Sequence, residues 1–469
     1  MPSPGNASQA AAQLPDGLPV PQRYWAIAAI LLAICMSVLD SSITNVALPT
    51  IARDFGASPA ASIWVINAYQ LAILILLLPL ASLGEIIGYR RVSQVGLAVF
   101  TLASLACACA PSLLALSVAR VIQGLGAAGI MSVNAALVRF TYPHRHLGRA
   151  IGINALVVAT SAALGPTIAS AVLAVAQWRW LFGINIPLGI IAIIIASYSL
   201  PESERTRRPM NYVGAVLYAG TFGLLLAGLQ SLAHHSRTAL ALAQIGAAAV
   251  LGWILLRHEL PRAMPLIPFD LLRKRQFSLS VVTSICSFMA QMAALVSLPF
   301  EIQRLGHSAV ETGLFMTPWP VGVAVTAPIA GRLADRYPAG VLGGLGLMVM
   351  SAGLTLLALF PADGTAAGFV WRTALCGVGF GLFQSPNNRA MLSAAPRART
   401  GAAGGMLSTA RLVGQSLGAA GVAILFGIHA QLGSNFALYA AAALAFMAAI
   451  VSVVRLRTTA STRYVSPDS

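Results

Sequence analysis

The first apolar stretch of the chain, residues 24–49 (YWAIAAILLAICMSVLDSSITNVALP), is 26 residues long and contains one charged residue, Asp40. About 20 apolar residues, rising about 1.5 Å each, cross the roughly 30 Å of hydrocarbon in a bilayer. The stretch is too long for the apolar core of a signal peptide, so we expect it to be retained as a membrane-spanning helix. Residues 1–22 are rich in Pro, Ala and Gln, and a disordered cytoplasmic tail is predicted there.

Thirteen further apolar stretches are each long enough to span a bilayer. They lie near 61–83, 92–110, 113–139, 147–175, 178–200, 212–232, 239–257, 276–302, 310–334, 340–360, 366–392, 400–428 and 434–456. Hydrophobic residues make up 58% of the chain and charged residues 9%, against about 45–50% and about 25% in soluble proteins. The sequence therefore predicts an all-α polytopic membrane protein with 14 transmembrane helices, and excludes a soluble domain.

The basic residues indicate the orientation of these spans. Of 29 basic residues, 22 lie in the connecting segments that share a side with the N-terminus, four in the opposite segments and three within spans. The four are Arg53, Arg179, Arg237 and Arg304, and the three are Arg120, Arg372 and Arg411. Cytoplasmic loops of membrane proteins carry the excess of Lys and Arg. We therefore expect a multi-pass protein of the cell (inner) membrane with cytoplasmic N- and C-termini. The net charge of +16 reflects this orientation and not a nucleic-acid partner.

Landmarks in the first six spans recur in the last six, about 250 residues later. Leu83-Gly84-Glu85 matches Leu333-Ala334-Asp335, Arg120, Gly124 and Gly126 match Arg372, Gly377 and Gly379, and Gly148, Gly152, Leu164 and Gly165 match Gly401, Gly405, Leu417 and Gly418. The predicted organisation is a tail (1–22), a six-helix bundle (23–200), two inserted helices with a cytoplasmic linker (201–275), a second six-helix bundle (276–456) and a cytoplasmic tail (457–469). Parallel repeats around a central site are typical of alternating-access transporters. Spans 7 and 8, which the repeat omits, are expected to be peripheral.

Five motifs carry a resemblance to a known family. They are Leu39–Pro49 (LDSSITNVALP), Ala81–Arg91 (ASLGEIIGYRR) with its second copy Gly331–Arg336 (GRLADR), Ala119–Ala128 (ARVIQGLGAA), Gly165–Ser170 (GPTIAS) and Trp178–Gly189 (WRWLFGINIPLG). In this order and on these spans, they resemble the major facilitator superfamily, specifically its fourteen-helix drug:proton antiporter branch. The fold implied is two six-helix bundles plus two extra helices. Ala169 and Ser170 replace the last two glycines of the antiporter motif, and Glu85 replaces the Asp of the gating loop.

Asp40 and Arg120 are the predicted proton-coupling residues. Asp40 is the one acidic residue deep within a predicted span, and a charged group there should face protein or a wet cavity. Arg120 cannot lose its proton, so it is interpreted as the counter-charge of Asp40. Counted from the nearer span ends, both lie at a depth of about 11–14 Å. The alternatives are a static ion pair for Asp40 and a strut to backbone carbonyls for Arg120.

The resemblance assigns two further elements, a gate and a pivot. The gating loops hold Gly84, Glu85, Gly88, Arg90 and Arg91 in the first half and Gly331, Arg332, Asp335 and Arg336 in the second. Their charges are expected to latch the closed inner gate, or simply to anchor positive loops in the cytoplasm. Gly165 and Pro166 are expected to bend helix 5 as a pivot, the alternative being a packing kink.

Polar, aromatic and Met side chains within spans are candidates for a substrate cavity. They are Trp64, Asn67, Tyr69, Gln70, Met289, Gln291, Met292, Met316, Trp319 and Arg411. Aromatic and Met side chains adapt to varied apolar cations. For each residue alone, packing against lipid or protein is the alternative, and internal pairing is the favoured one for Arg372 and Arg411.

The favoured function is a proton-driven exporter of amphipathic, cationic drugs or biocides, and not an enzyme. The chain has no Walker lysine motif, no cluster that suggests a metal, and five cysteines that all lie in apolar stretches, so no cofactor is expected. Its partners are small-molecule substrates, protons and the lipid membrane. The alternatives are a dedicated exporter of one metabolite or antibiotic, a membrane-embedded enzyme or receptor, and an exporter docked to a periplasmic adaptor protein, which the short outer loops do not require.

Overall fold

A computed structural model describes residues 17–143, 146–202, 210–232, 238–262, 268–360, 365–395, 399–429 and 432–463. These residues form 18 helices and no strand. The helices are α1 (Gln22–Asp54), α2 (Pro59–Ser62), α3 (Trp64–Ile87), α4 (Tyr89–Ala108), α5 (Leu113–Thr141), α6 (Leu147–Val175), α7 (Arg179–Gly183), α8 (Asn185–Ser199), α9 (Tyr212–Leu232), α10 (Thr238–Glu259), α11 (Phe269–Leu272), α12 (Arg275–Arg304), α13 (Ala309–Met316), α14 (Pro318–Leu333), α15 (Ala339–Ala358), α16 (Ala366–Ser393), α17 (Thr400–Ile428) and α18 (Gly433–Arg463).

Fourteen membrane-spanning segments are built from these helices, as predicted. Three spans are each divided into a short and a long helix, namely α2 with α3, α7 with α8, and α13 with α14. With an even number of spans, the first and last described helix ends lie on one side of the molecule. We call this the terminal side and the opposite one the distal side. Residues 1–16 of the predicted tail lie outside the described residues. Helix α1 begins at Gln22, the last residue of the predicted tail.

The same distal turn occurs in both halves. Gly56 and Gly306 have positive φ angles of 59° and 92°, a conformation that glycine adopts without strain. Two residues later, Ser58 and Ser308 each accept a hydrogen bond from a backbone N–H in the first turn of the next helix. Such N-caps satisfy donors that a helix start leaves free. The turns are 250 residues apart, in agreement with the repeat read from the sequence.

A close crossing of two helices also occurs in both halves. A Cβ atom on Gly126 of α5 would lie 2.6 Å from the Gly96 carbonyl oxygen of α4. A Cβ atom on Gly379 of α16 would meet Gly346 of α15 in the same way. Gly126 and Gly379, which match each other in the repeat, are therefore positions where two helix backbones touch. This explains why the repeat is visible in glycine positions.

Gly126→Ala is expected to destabilise the fold. The methyl group would meet backbone atoms of α4 that cannot rotate away, and overpacking of this kind costs about 1–3 kcal/mol. The matched control is Gly246→Ala in α10, where nothing lies within 4 Å and alanine is the better helix former. Thermal unfolding of the purified variants would measure both effects. Equal stability of the two variants would show that the α4–α5 crossing is looser than described here.

The two halves are joined on the distal side. The largest apolar cluster combines residues of the first half, such as Val46 and Phe182, with residues of the second, such as Val296 and Trp319. A second cluster joins the halves closer to the middle of the spans, where Leu77 of α3 packs with Leu412 of α17. At the terminal ends each half has its own cluster, around Val133 in the first half and around Phe277 in the second. The halves are therefore joined on the distal side and through α3 and α17, and their terminal ends pack separately.

The two inserted spans, α9 and α10, differ in their packing. α10 packs against α9, whereas α9 also packs against α3 of the first half and α17 of the second. The side-chain oxygen of Gln230 in α9 accepts a hydrogen bond (3.1 Å) from the Asn67 amide of α3. The expectation that both helices are peripheral thus fits α10, while α9 covers the line along which the halves meet.

Candidate functional site

Asp40 lies at the centre of a buried polar cluster in the first half. Its side chain is about 1% exposed, and its Oδ2 atom accepts a hydrogen bond from Nη1 of Arg120. Its Oδ1 atom accepts two more, from the amide nitrogens of Gln123 and Asn185, both at 2.8 Å. Three side chains therefore donate to one carboxylate, and none of the three contributes a negative charge. This arrangement suits the ionised form of Asp40.

Arg120 has contacts on every side of its guanidinium group. Its Nε donates to the backbone oxygen of Val65 at 3.0 Å, and its Nη1 also donates to the side-chain oxygen of Gln123 at 2.6 Å. The guanidinium carbon lies 4.1 Å from the ring centroid of Tyr69 and 5.5 Å from that of Phe182. The two sequence interpretations of Arg120, counter-charge and backbone strut, both describe contacts that it makes.

Five spans supply this cluster, which fixes its position within the bundle. Asp40 comes from α1, Arg120 and Gln123 from α5, and Asn185 from the start of α8. Ser104 of α4 accepts a hydrogen bond from Gln123 (2.9 Å), and α3 contributes Tyr69. Side chains from five helices therefore meet at this cluster.

Gln123 and Asn185 were quoted within motifs but had no predicted role. Their position on one carboxylate is the main feature that the sequence did not reveal. Polar residues within apolar spans were a signal, since buried polar groups must find partners. The sequence has several polar residues within its spans. Only the positions of the helices in space show that Gln123 and Asn185 are the two that reach Asp40.

Pro166 of the predicted pivot leaves the backbone oxygen of Ala162 without its helical donor, because proline has no N–H. The Ser42 hydroxyl of α1 donates to this oxygen at 3.1 Å. A Cβ atom on Gly165 would collide with Ser42, so the glycine allows α1 and α6 to approach. The bend is thus bonded to the helix that carries Asp40.

The same region connects the halves. The Ser170 hydroxyl of α6 donates to the backbone oxygen of Val310 at 2.8 Å, and the hydroxyls of Thr167 and Thr317 lie 2.9 Å apart. Ser170 replaces a glycine of the family motif, and its side chain forms one of these bonds. On the same side, Arg53 of α1 donates to the side-chain oxygen of Gln303 in α12 at 2.9 Å.

The gating-loop charges bind within their own halves. Asp335 accepts a hydrogen bond from Arg389 of α16, and Arg90 donates to the backbone oxygen of Ser197. Neither charge contacts the opposite half among the described residues, and the expected latch pairs with Arg91, Arg332 or Arg336 are not formed there. The separation of the halves on the terminal side is the physical reason. Gly88 has a φ angle of 102°, which explains the glycine in this loop.

The candidate cavity residues fall into two groups. Tyr69, Asn67, Met316 and Trp319 are at most 4% exposed, and they do not line an open space in this conformation. Tyr69 belongs to the Asp40 cluster, where its hydroxyl donates to the Ser37 backbone oxygen at 2.9 Å. The partly exposed group is Trp64, Met289, Gln291 and Arg411. Gln70 and Met292 are buried against each other, 3.9 Å apart across the two halves.

Arg372 and Arg411, the other two arginines that the sequence places within spans, differ in their contacts. Arg372 donates to the Gly368 backbone oxygen at 2.9 Å, and its guanidinium carbon lies 4.4 Å from the ring centroid of Trp371. Arg372 is therefore paired within its own half, which agrees with the internal pairing that the sequence favours. Arg411 lies near the middle of α17, 5.9 Å from the ring centroid of Phe288. Among the described residues it forms no ion pair and no hydrogen bond, so internal pairing does not describe it.

The sequence was compared with known families and proteins. Residues 30–419 match the profile of the Major Facilitator Superfamily. The uncharacterized transporter YebQ of Escherichia coli (strain K12) is 53% identical over 444 residues, which cover 94% of this chain and 97% of YebQ. The multidrug resistance protein Stp of Mycobacterium tuberculosis is 31% identical over 394 residues, which cover 82% of this chain and 73% of Stp.

Solved structures agree on the fold. A bacterial homologue of the human lysosomal transporter Spinster superposes with a TM-score of 0.69 at 14% sequence identity. The match covers 94% of this chain and 98% of that one. At this level of identity the likeness concerns the arrangement of helices.

Proposed function

Because this chain belongs to the Major Facilitator Superfamily and is a multi-pass membrane transporter, we propose that it is a proton-coupled exporter of amphipathic drugs or biocides. The observation that carries the proposal is the Asp40–Arg120 pair, a buried carboxylate bonded to one buried cation. Export of drugs is supported by the motifs quoted above and by the relative named as a multidrug resistance protein. We place the protein in the cell inner membrane with the terminal side in the cytoplasm, because 22 basic residues lie on that side.

Alternating access relates this function to the packing of the halves. With the terminal side in the cytoplasm, the conformation described here is closed to the outside, and the cytoplasmic ends of the halves pack separately. Substrate enters on the terminal side, the halves reverse their contact, and substrate leaves on the distal side. The gating-loop charges, unlatched here, are proposed to pair when the cytoplasmic side closes.

Asp40 is proposed to carry the proton in the opposite direction. When a proton binds to Asp40, Arg120 loses its counter-charge and the bonds from Gln123 and Asn185 weaken. When Arg120 pairs again with Asp40, the proton is released to the cytoplasm. Gly165 and Pro166 are proposed as the pivot that links this change to α6, because α6 is bonded both to α1 and to the second half.

Export is tested with a host that lacks its own efflux pumps and a panel of unrelated amphipathic compounds. The intact protein is expected to raise the tolerated concentration of several compounds, and Asp40→Asn, at equal abundance in the membrane, is expected to abolish this. No increase for any compound would contradict the proposal. An increase for one compound alone would favour the dedicated exporter, a function that the same site supports.

A further inference from the structure

The α17 polar stripe, defined here as Ser408, Arg411 and Gln415, has no role in the proposed proton cycle. Successive helix residues are rotated by about 100°, so positions i, i+3 and i+7 share one face. All three side chains are partly exposed, although they lie within a membrane span. A polar, accessible stripe at this depth is the type of surface that lines a solute pathway.

The contacts of α17 show where this stripe faces. Gly414 and Gly418 pack on α12, at Phe288 and Met289, and Leu412 packs with the apolar cluster that includes residues of α3. By helix geometry the stripe lies in the sector between these two faces. Since α3 belongs to the first half and α12 to the second, the stripe faces the space between the halves.

The described side chains around this space carry one positive charge that no carboxylate neutralises. Asp40 and Arg120 neutralise each other, whereas Arg411 has no carboxylate partner among the described residues. A buried or half-buried cation within a bilayer is unfavourable unless a negative group approaches it. An anionic ligand supplies that group, and a cationic ligand adds to the imbalance.

Groups that suit the rest of an amphipathic ligand lie close to Arg411. Phe288, beside Arg411, and Met292 are four residues apart on one face of α12, about 6 Å along the helix. Gln70 contacts Met292, and its side-chain oxygen has no hydrogen-bond partner. All three side chains are at most 3% exposed in this conformation, so a ligand on Arg411 contacts them only after the halves have moved relative to each other.

We propose that this site selects amphipathic acids, in which an aromatic or alicyclic body carries one carboxylate, sulfonate or phenolate group that binds Arg411. The proposal rests on the proposed export function and replaces the cationic substrate that the sequence favours. In this proposal Arg411 binds the negatively charged group of the substrate, and the Asp40–Arg120 pair carries the proton.

The test is equilibrium binding to the purified full-length protein in lipid nanodiscs, with empty nanodiscs subtracted and no proton gradient. Two probes share a ring system and differ by one sulfonate, 8-anilinonaphthalene-1-sulfonate and N-phenyl-1-naphthylamine, and ethidium serves as a cation. The parent is expected to bind the sulfonate most tightly. Arg411→Gln is expected to weaken sulfonate binding about tenfold or more, the effect of one charge-assisted hydrogen bond, and to leave the neutral probe unchanged.

Two further variants separate charge from structure. Arg411→Lys is expected to retain most of the preference for the sulfonate, and Arg372→Gln, at an arginine that is bonded within its own helix, to leave all three probes unchanged. Tighter binding of ethidium than of the sulfonate by the parent, no binding of the sulfonate, or an unchanged preference in Arg411→Gln would each overturn the proposal. Binding is measured without a gradient, so it does not depend on whether Asp40 couples protons to export. If the Arg411 variants show no change in probe binding, the test of proton coupling at Asp40 is equally unaffected.

Discussion

Substrate-induced proton release is expected to disappear when Asp40 is replaced by Asn, and to persist when other acidic residues are replaced. The amide keeps the size of the carboxyl group and cannot exchange a proton. It also places an NH2 group where a carboxylate oxygen accepted, next to three donors from Arg120, Gln123 and Asn185. Proton release on addition of substrate, followed with a pH indicator in weakly buffered detergent solution, measures the effect. Asp270→Asn, which alters a surface pair with Arg399, is the matched control.

Folding must be separated from coupling in this experiment. Removal of one partner of a buried ion pair costs about 3–5 kcal/mol, because the other charge remains buried. The double variant Asp40→Asn/Arg120→Gln removes both charges, and we expect it to be more stable than Asp40→Asn and equally inactive. Proton release by either variant at the level of the parent would assign Asp40 a structural role and move the coupling site elsewhere.

A disulfide between the halves on the distal side is expected to stop export completely. The hydroxyls of Thr167 and Thr317 lie 2.9 Å apart, one on each half, so cysteines there need little movement to reach a disulfide distance of about 2.05 Å. If the halves must separate on this side to release substrate, Thr167→Cys/Thr317→Cys should lose export on oxidation and regain it on reduction. The partly or fully exposed Cys35, Cys109 and Cys286 are first replaced by alanine.

The control for this cross-link lies within the inserted pair. A Cβ atom on Gly228 of α9 would lie 3.2 Å from the Cβ atom of Gln244 in α10, close to the separation of a disulfide, and a bond there joins two helices that are consecutive in the chain. Gly228→Cys/Gln244→Cys is therefore expected to form its disulfide and continue to export. Full export by the oxidised Thr167→Cys/Thr317→Cys protein would show that the distal side does not open in the transport cycle.

The sequence was sufficient for the span count and the duplicated architecture. Span length and apolar composition are local properties, and the repeated pair Gly126 and Gly379 is required by backbone contacts between consecutive helices. The depth of Asp40 and Arg120 also follows from residue counting. The structure adds that the two side chains face each other.

The remaining features of the site depend on helix rotation and crossing, which a sequence does not specify. Gln123 and Asn185 resemble several other amides in apolar spans, and their selection requires the positions of α5 and α8 beside α1. Internal pairing was the favoured interpretation for both Arg372 and Arg411, and only Arg411 was also a cavity candidate. Phe360 and Trp371 stack on Arg372, whereas Arg411 faces the space between the halves, and this difference arises from tertiary packing.

The position of α9 makes the two flanks of the transporter unequal towards the surrounding lipid. On one flank α9 spans the seam between α3 and α17, and Gln230 fastens it there by bonds to Asn67 and to the backbone of Ala60. On the other flank α6 meets α13 and α14 directly, and no further helix lies over that seam within the described chain. The seam between α6 and α14 therefore faces the lipid without an intervening helix among those described, whereas the seam between α3 and α17 is separated from the lipid by α9.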